Sequence, residues 1–120
     1  MIELRSITID TDGFLLEGID LSVESGTWAT IMGRTGCGKT TVLEAVCGLR
    51  AVTAGSIWID GKPVTHQPPR HRGIGFVPQD GALFAGMTVE SMLTLGLRAR
   101  GVPRQKRRRQ AQAMAASLGI

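Results

Sequence analysis

The octet at residues 33–40 reads Gly33-Arg34-Thr35-Gly36-Cys37-Gly38-Lys39-Thr40, and it matches the pattern G-x-x-x-x-G-K-[ST] at every fixed position. This pattern is typical of a loop that wraps a phosphate group with backbone N–H groups, in conformations that a Cβ atom would obstruct. The run Trp28–Met32 before the octet is almost wholly apolar, and apolar residues at helical spacing follow it. A buried strand, a glycine loop and an amphipathic helix are the context in which the motif binds phosphate.

The loop predicts a nucleotide site, with MgATP as its leading ligand. We expect Lys39 to place its cation between the β- and γ-phosphates, Thr40 to offer its hydroxyl to Mg²⁺, and Thr41 to reach the α-phosphate. The start of the helix adds free amides and the positive end of its dipole. Cys37 is either a thiol activated at a helix start or, as we favour, a passive loop residue. The predicted nucleotide-binding residues are Gly33, Arg34, Thr35, Gly36, Cys37, Gly38, Lys39, Thr40 and Thr41.

Short strands are predicted on both sides of the loop. Residues 2–9 look extended, with an alternation that changes face midway, and residues 19–24 alternate as a strand with one solvated face. Trp28–Met32 and Ile74–Val77 are apolar enough to be strands buried on both faces of a parallel sheet. Ile57-Trp58-Ile59, followed by Asp60-Gly61, predicts a strand that runs into a hairpin-type turn.

Helices are predicted after the loop and towards the end of the sequence. The first is expected to end near Arg50, the second to be capped by Thr88 and to run to Leu97, and the last to contain Pro103 in its first turn. The last helix has an apolar stripe, which we expect to pack inward with the basic run 104–109 facing solvent. The stripe consists of Ala111, Met114, Ala115 and Leu118.

Composition limits the classes of protein to consider. The 120 residues are 42% hydrophobic and 20% charged, which is typical of one globular domain rather than of a disordered chain. The net charge of +4 is unevenly distributed: residues 1–97 hold seven basic and ten acidic residues, and residues 98–120 hold seven basic and none acidic. No aromatic stacking residues accompany the basic run, so we expect no nucleic-acid partner. Cys37, Cys47, His66 and His71 lack metal-ligand spacing, and a reducing compartment is expected.

Beyond the octet, four segments give the chain a resemblance to the ATP-binding subunits of ABC transporters. The segments are Gly18-Ile19-Asp20-Leu21-Ser22, Thr53-Ala54-Gly55-Ser56-Ile57 with Asp60-Gly61, Gly75-Phe76-Val77-Pro78-Gln79-Asp80, and Leu83-Phe84-Ala85-Gly86-Met87-Thr88-Val89-Glu90. The resemblance covers essentially all of the chain. It implies that Gln79 is the Q-loop glutamine, which contacts Mg²⁺ and the attacking water. Residues 97–103, which precede the basic helix, resemble the helical subdomain of importer-type subunits.

The resemblance implies an α/β fold of the P-loop NTPase ABC type, in incomplete form. Its expected parts are an antiparallel β subdomain at about 1–27 and 56–67, a P-loop core with a partial parallel sheet at 28–55 and 68–82, and the start of the helical subdomain at 86–120. The implied function is to couple MgATP binding and hydrolysis to transport across a membrane. The implied partners are a membrane-embedded permease subunit and a second ATP-binding subunit, and the implied location is the cytoplasmic face of the membrane.

Two features depart from the family pattern. The family stacks adenine on an aromatic residue where this sequence has Asp10, and Phe14 is nearby but out of register. The sequence also contains no LSGGQ-type signature, Walker B aspartate, catalytic glutamate or switch histidine, so it holds no complete catalytic set and turnover by this chain alone is in doubt. The alternatives are a non-catalytic nucleotide-binding fragment, a P-loop enzyme such as a small-molecule kinase, an ABC-type DNA-repair ATPase and, supported by the basic tail alone, a nucleic-acid binder.

Overall fold

The computed structural model describes residues 1–11, 13–81 and 83–119. They form two compact units, Met1–Phe76 and Val77–Ile120. In the described part of the chain, no helix has the length and apolar character needed to cross a bilayer.

The first unit is an antiparallel sheet with one α-helix packed against it. The strands are β1 (Ile2–Thr11), β2 (Phe14–Val23), β3 (Ala54–Ile59) and β4 (Lys62–Pro63), in the spatial order β2-β1-β3-β4. All three strand pairs are antiparallel, which confirms the predicted antiparallel β part. Helix α1 (Lys39–Cys47) follows the glycine loop, and a 3₁₀ turn lies at Pro69–His71.

A bulge in β1 explains the change of face that its sequence predicts. Ser6 has a φ of 46°, and the register with β2 shifts between Leu4 and Ile7. The extra residue lets Leu4, Ile7 and Ile9 all point into the core, which a regular period of two would not allow. The predicted hairpin turn is also confirmed, because Asp60 and Gly61 adopt φ values of 48° and 73° between β3 and β4.

The core of this unit lies between the sheet and α1. Buried residues from β1, β3, α1 and the segment after β4 form it: Leu4, Ile7, Ile9, Val42, Ala45, Val46, Ile57 and Val64. The helical spacing of Val42, Ala45 and Val46 correctly predicted the buried face of α1. The helix ends at Cys47 rather than near Arg50, because Gly48 adopts a left-handed conformation (φ 79°) and closes the last turn.

Two predicted strands are not formed. Residues 28–32 and 74–77 have no ladder partner among the described residues, and Trp28, Met32 and Val77 are 101%, 86% and 88% exposed. Only Ile31 and Ile74 of these segments pack against the core. The prediction of burial on both faces is wrong for this chain, because a strand needs neighbours to pair its backbone groups and to cover its side chains.

The second unit contains two helices, α2 (Val89–Ala99) and α3 (Arg104–Leu118), which pack against each other. The Thr88 hydroxyl accepts a hydrogen bond from the Ser91 amide at 3.2 Å, so the predicted cap is confirmed. The inward packing of the α3 stripe is only partly correct. Ala111 is buried, but Met114 and Leu118 are 53% and 64% exposed, because α2 covers only part of the stripe.

Candidate nucleotide-binding site

The glycine loop leads directly into the uncapped start of α1. Gly36 and Gly38 adopt left-handed conformations with φ values of 82° and 94°, which residues with a Cβ rarely adopt. Gly38 is the N-cap residue; no side chain caps this end, and the first turn contains no acidic residue. The first amides of a helix have no partner within it and lie at the positive end of its dipole. This arrangement fits an anion.

The Lys39 side chain folds back across the loop to its first two residues. Its Nζ donates hydrogen bonds to the carbonyl oxygens of Gly33 at 2.9 Å and Arg34 at 2.8 Å, and it lies 3.8 Å from the Cys37 Sγ. A Cβ added to Gly33 would lie 2.8 Å from that sulfur. The lysine therefore holds its charge at the glycine loop, where a larger residue at position 33 would displace the Cys37 side chain.

Beneath the loop, side chains of β2 pack against Gly38. A Cβ at this glycine would lie 2.6 Å from the Leu16 Cδ1 and 2.9 Å from the Phe14 Cε1. An aromatic ring therefore borders the loop, although the alignment implied by the family resemblance puts Phe14 out of register. Asp10 pairs with Leu15 across β1 and β2 and is exposed. The hairpin brings Phe14 to the loop, and no local pattern in the sequence indicates this.

At the opposite end of α1, Arg72 is a residue that the sequence analysis missed. It is 6% exposed, and its guanidinium donates to four backbone carbonyls. Nη1 bonds to Ala45 at 2.8 Å and Val46 at 3.0 Å, Nε to Gln67 at 2.9 Å, and Nη2 to Thr65 at 2.8 Å. Two of these carbonyls, those of Ala45 and Val46, belong to the last turn of α1, and a cation that donates to them stabilises the helix end through both the hydrogen bonds and the dipole.

Burial around Arg72 also affects the nearby titratable groups. Desolvation lowers the pKa of the Arg72 guanidinium from its usual range. Desolvation likewise raises the pKa of the Cys47 thiol, and the charge of Arg72 opposes that shift. Both effects arise at the C-terminal end of α1, which is partly buried, whereas the glycine loop at its N-terminal end is exposed.

The other predicted site residues lie in different places. Thr40 is exposed and Thr41 half-buried, both in the first turn of α1, beside Lys39. Gln79 is exposed in a turn of the second unit. The structure thus brings residues 33–41 together in the first unit, and Gln79 belongs to the other unit. In the described ranges, no group of three or more His, Cys, Asp or Glu residues is placed to hold a metal ion.

Comparison with known proteins gives consistent matches over most of the chain. The model of the family described as "ABC transporter" matches residues 16–120. The chain is 41% identical over 107 residues to the spermidine/putrescine import ATP-binding protein PotA of Pasteurella multocida, covering 88% of this chain and 29% of that protein. It is 40% identical over 107 residues to the sn-glycerol-3-phosphate import ATP-binding protein UgpC of Escherichia coli, covering 88% and 30%. The chain therefore spans less than a third of these relatives.

A solved structure agrees with the observed fold. The ATP-binding cassette MJ0796, in a dimeric post-hydrolysis state bound to ADP and Pi, superposes with a TM-score of 0.78 and 25% identity, over 94% of this chain and 55% of that one. The predicted P-loop ABC-type fold, in partial form, is thereby confirmed.

Proposed function

Because the chain belongs to the ABC transporter family, we propose that it is the nucleotide-binding part of an importer-type ATP-binding subunit and that residues 33–41 bind MgATP. The observation that carries this proposal is the uncapped start of α1, framed by left-handed glycines and by the Lys39 ammonium. These groups suit the phosphates of a nucleotide, because preorganised amides and a neighbouring cation bind an anion without rearranging the backbone.

Each side chain has a distinct role in this proposal. We expect Lys39 Nζ to leave the carbonyls of Gly33 and Arg34 and to bind the β- and γ-phosphates, while the loop amides wrap the β-phosphate. Thr40 would supply a hydroxyl oxygen to Mg²⁺, which prefers oxygen ligands, and Thr41 would contact the α-phosphate. Mg²⁺ would neutralise charge that develops on the phosphates. Gln79 is proposed as a further contact to the metal and the attacking water.

The proposed partners follow from the relatives. PotA and UgpC are ATP-binding proteins of import systems, so we propose a membrane permease as partner, a second ATP-binding subunit, and a position on the cytoplasmic face of the membrane. The two relatives are named for different substrates, and this chain is nearly equally identical to both. Similarity to them therefore does not favour one transported substrate for this chain.

The test is nucleotide binding by matched lysine variants. A fluorescent ATP analogue is titrated against the unaltered chain, Lys39→Ala and Lys62→Ala, with Mg²⁺ and with a chelator. Lys62 lies exposed in β4 and controls for the loss of one charge from the same unit. We expect Lys39→Ala to weaken binding by about tenfold or more, since it removes charge-assisted bonds, and Lys62→Ala to have little effect. Equal affinity of all three proteins would exclude the loop as the site.

Binding without turnover is a second candidate function. This sequence contains the phosphate loop but no Walker B aspartate or signature motif, and hydrolysis needs groups that hold the metal and orient water from more than one side. Phosphate release measured above a Lys39→Ala background decides between the two. Release at the background rate, with nucleotide binding intact, identifies this chain as a binder alone.

A further inference from the structure

A cleft between α2 and α3 carries a concentration of positive charge that the proposed nucleotide site does not use. It has a volume of about 510 Å³ and is lined by Glu90, Ser91, Thr94, Arg98, Arg104, Arg107 and Arg108. Four arginines and one glutamate give the lining a net charge of +3. Both helices belong to the second unit, so the cleft lies wholly within it.

The arginines of α3 stand at the unfavourable end of their helix. Arg104, Arg107 and Arg108 lie at i, i+3 and i+4, so they share one face and repel one another. Arg104 also begins the first turn, where the helix dipole disfavours cations. The first turn contains no acidic residue, and the N-cap Pro103 has no side-chain hydrogen bond to the helix amides. Local charge thus opposes the fold at this point, and such conflicts are expected where a site is functional.

The acidic residue in the cleft compensates little of this charge. Glu90 Oε1 lies 3.8 Å from Arg108 Nε, and both side chains are more than 60% exposed, so this pair is weak. Among the described residues, Arg98, Arg104 and Arg107 make no salt bridge. Three of the four arginines that line the cleft are therefore without a carboxylate partner among the described residues.

We propose that this cleft binds a small, soluble, phosphate-bearing anion with at least two negative charges. Guanidinium forks match the spacing of phosphate oxygens, and the amides at the start of α3 add donors at the positive end of the dipole. The volume falls within the range of small-molecule sites. A bound anion relieves the repulsion among the arginines, so binding stabilises α3. This inference is independent of nucleotide binding at residues 33–41.

The test uses inorganic pyrophosphate as the probe and isothermal titration as the readout. All proteins carry Lys39→Ala, which is expected to weaken phosphate binding at residues 33–40. In this background we compare Arg104→Gln/Arg107→Gln with Lys106→Gln/Arg109→Gln, which removes the same charge from the same helix outside the cleft lining. We expect one pyrophosphate per chain, roughly tenfold weaker binding for the first pair, and a change of about twofold for the second.

Thermal unfolding supplies a second readout, in which the first pair of substitutions should raise stability although it weakens binding. Without an anion, Arg104→Gln/Arg107→Gln should raise the stability of the helices, because it removes repulsion and an unfavourable dipole interaction. If this variant binds pyrophosphate more weakly but is no less stable, the weaker binding results from loss of the site and not from loss of structure. Undetectable pyrophosphate binding, equal weakening by both pairs, or displacement of pyrophosphate by a single-stranded oligonucleotide of higher affinity would overturn the proposal.

Discussion

Replacement of Arg72 by methionine should loosen the C-terminal end of the helix that follows the phosphate loop. Methionine keeps much of the buried stem but donates no hydrogen bond to Thr65, Gln67, Ala45 or Val46. Four hydrogen bonds from a charged donor are worth about 6–12 kcal/mol before the cost of burying the guanidinium is subtracted. That desolvation cost is several kcal/mol, and water can reach part of the freed carbonyls. We therefore expect a net loss of about 3 kcal/mol.

Hydrogen exchange followed by mass spectrometry measures this effect in α1 itself, without requiring the whole chain to unfold in one step. A loss of about 3 kcal/mol corresponds to an increase on the order of a hundredfold in the opening equilibrium of α1 amides. Arg72→Lys should recover only part of the protection, because one ammonium cannot reach four carbonyls around a planar fork.

Arg50 provides the matched control. It lies just after the same helix and forms a half-exposed ion pair with Glu44 at 2.9 Å. Pairs of this kind contribute about 0–1 kcal/mol, so Arg50→Met should accelerate exchange by less than about fivefold. If Arg72→Met exchanges no faster than Arg50→Met, the four contacts do not hold the helix. If Arg72→Lys behaves like the unaltered chain, charge rather than hydrogen-bond geometry is responsible.

Three further predictions concern separate parts of the molecule. Gly55→Ala should destabilise the sheet by about 3 kcal/mol or more, measured by hydrogen exchange of the strand amides, because φ is 83° and the new Cβ would lie 2.3 Å from the Ser6 carbonyl oxygen. Gly61→Ala has open space around it and should cost about 1 kcal/mol, so equal costs would contradict the clash. Iodoacetamide should modify exposed Cys37 faster than Cys47 at neutral pH, since burial raises the pKa of Cys47 and lowers its thiolate fraction, and ATP should protect Cys37. Mass spectrometry of the two peptides measures both rates, and faster modification of Cys47 would contradict this prediction. The isolated chain should self-associate and unfold over a broad temperature range, because residues 28–32 and 74–77 expose unpaired backbone and apolar side chains; a monomer in sedimentation with one sharp transition would refute this.

Sequence predicted those features that depend on neighbouring residues. The cap at Thr88, the turn at Asp60-Gly61, the buried face of α1 and the change of face in β1 each result from local geometry or local periodicity. The prediction of a strand at Trp28–Met32 was wrong because that feature depends on residues distant in sequence. Its apolar composition favours burial, but pairing and burial depend on segments distant in sequence, and the described chain supplies none beside it.

The candidate site shows the same division. The octet identifies the loop, Lys39 and Thr40, because that chemistry requires those residue types at fixed spacing, and Thr41 is the next residue of the helix. Phe14 and Arg72 contribute through tertiary contacts, so no spacing rule locates them. An arginine in a loop with prolines is ordinarily solvated, and only the position of α1 turns Arg72 into a buried donor.

These contacts determine how the phosphate loop keeps its shape. α1 is only nine residues long, and isolated helices of that length are marginal in water. Its middle is held by burial of Val42, Ala45 and Val46, its C-terminal end by Arg72, and its N-terminal glycine by close packing of Leu16. No side chain forms a capping hydrogen bond with the first amides of α1. The amides at that end therefore stay available because the helix is fixed elsewhere, and a capping side chain introduced there would compete with the proposed phosphate ligand for the same donors.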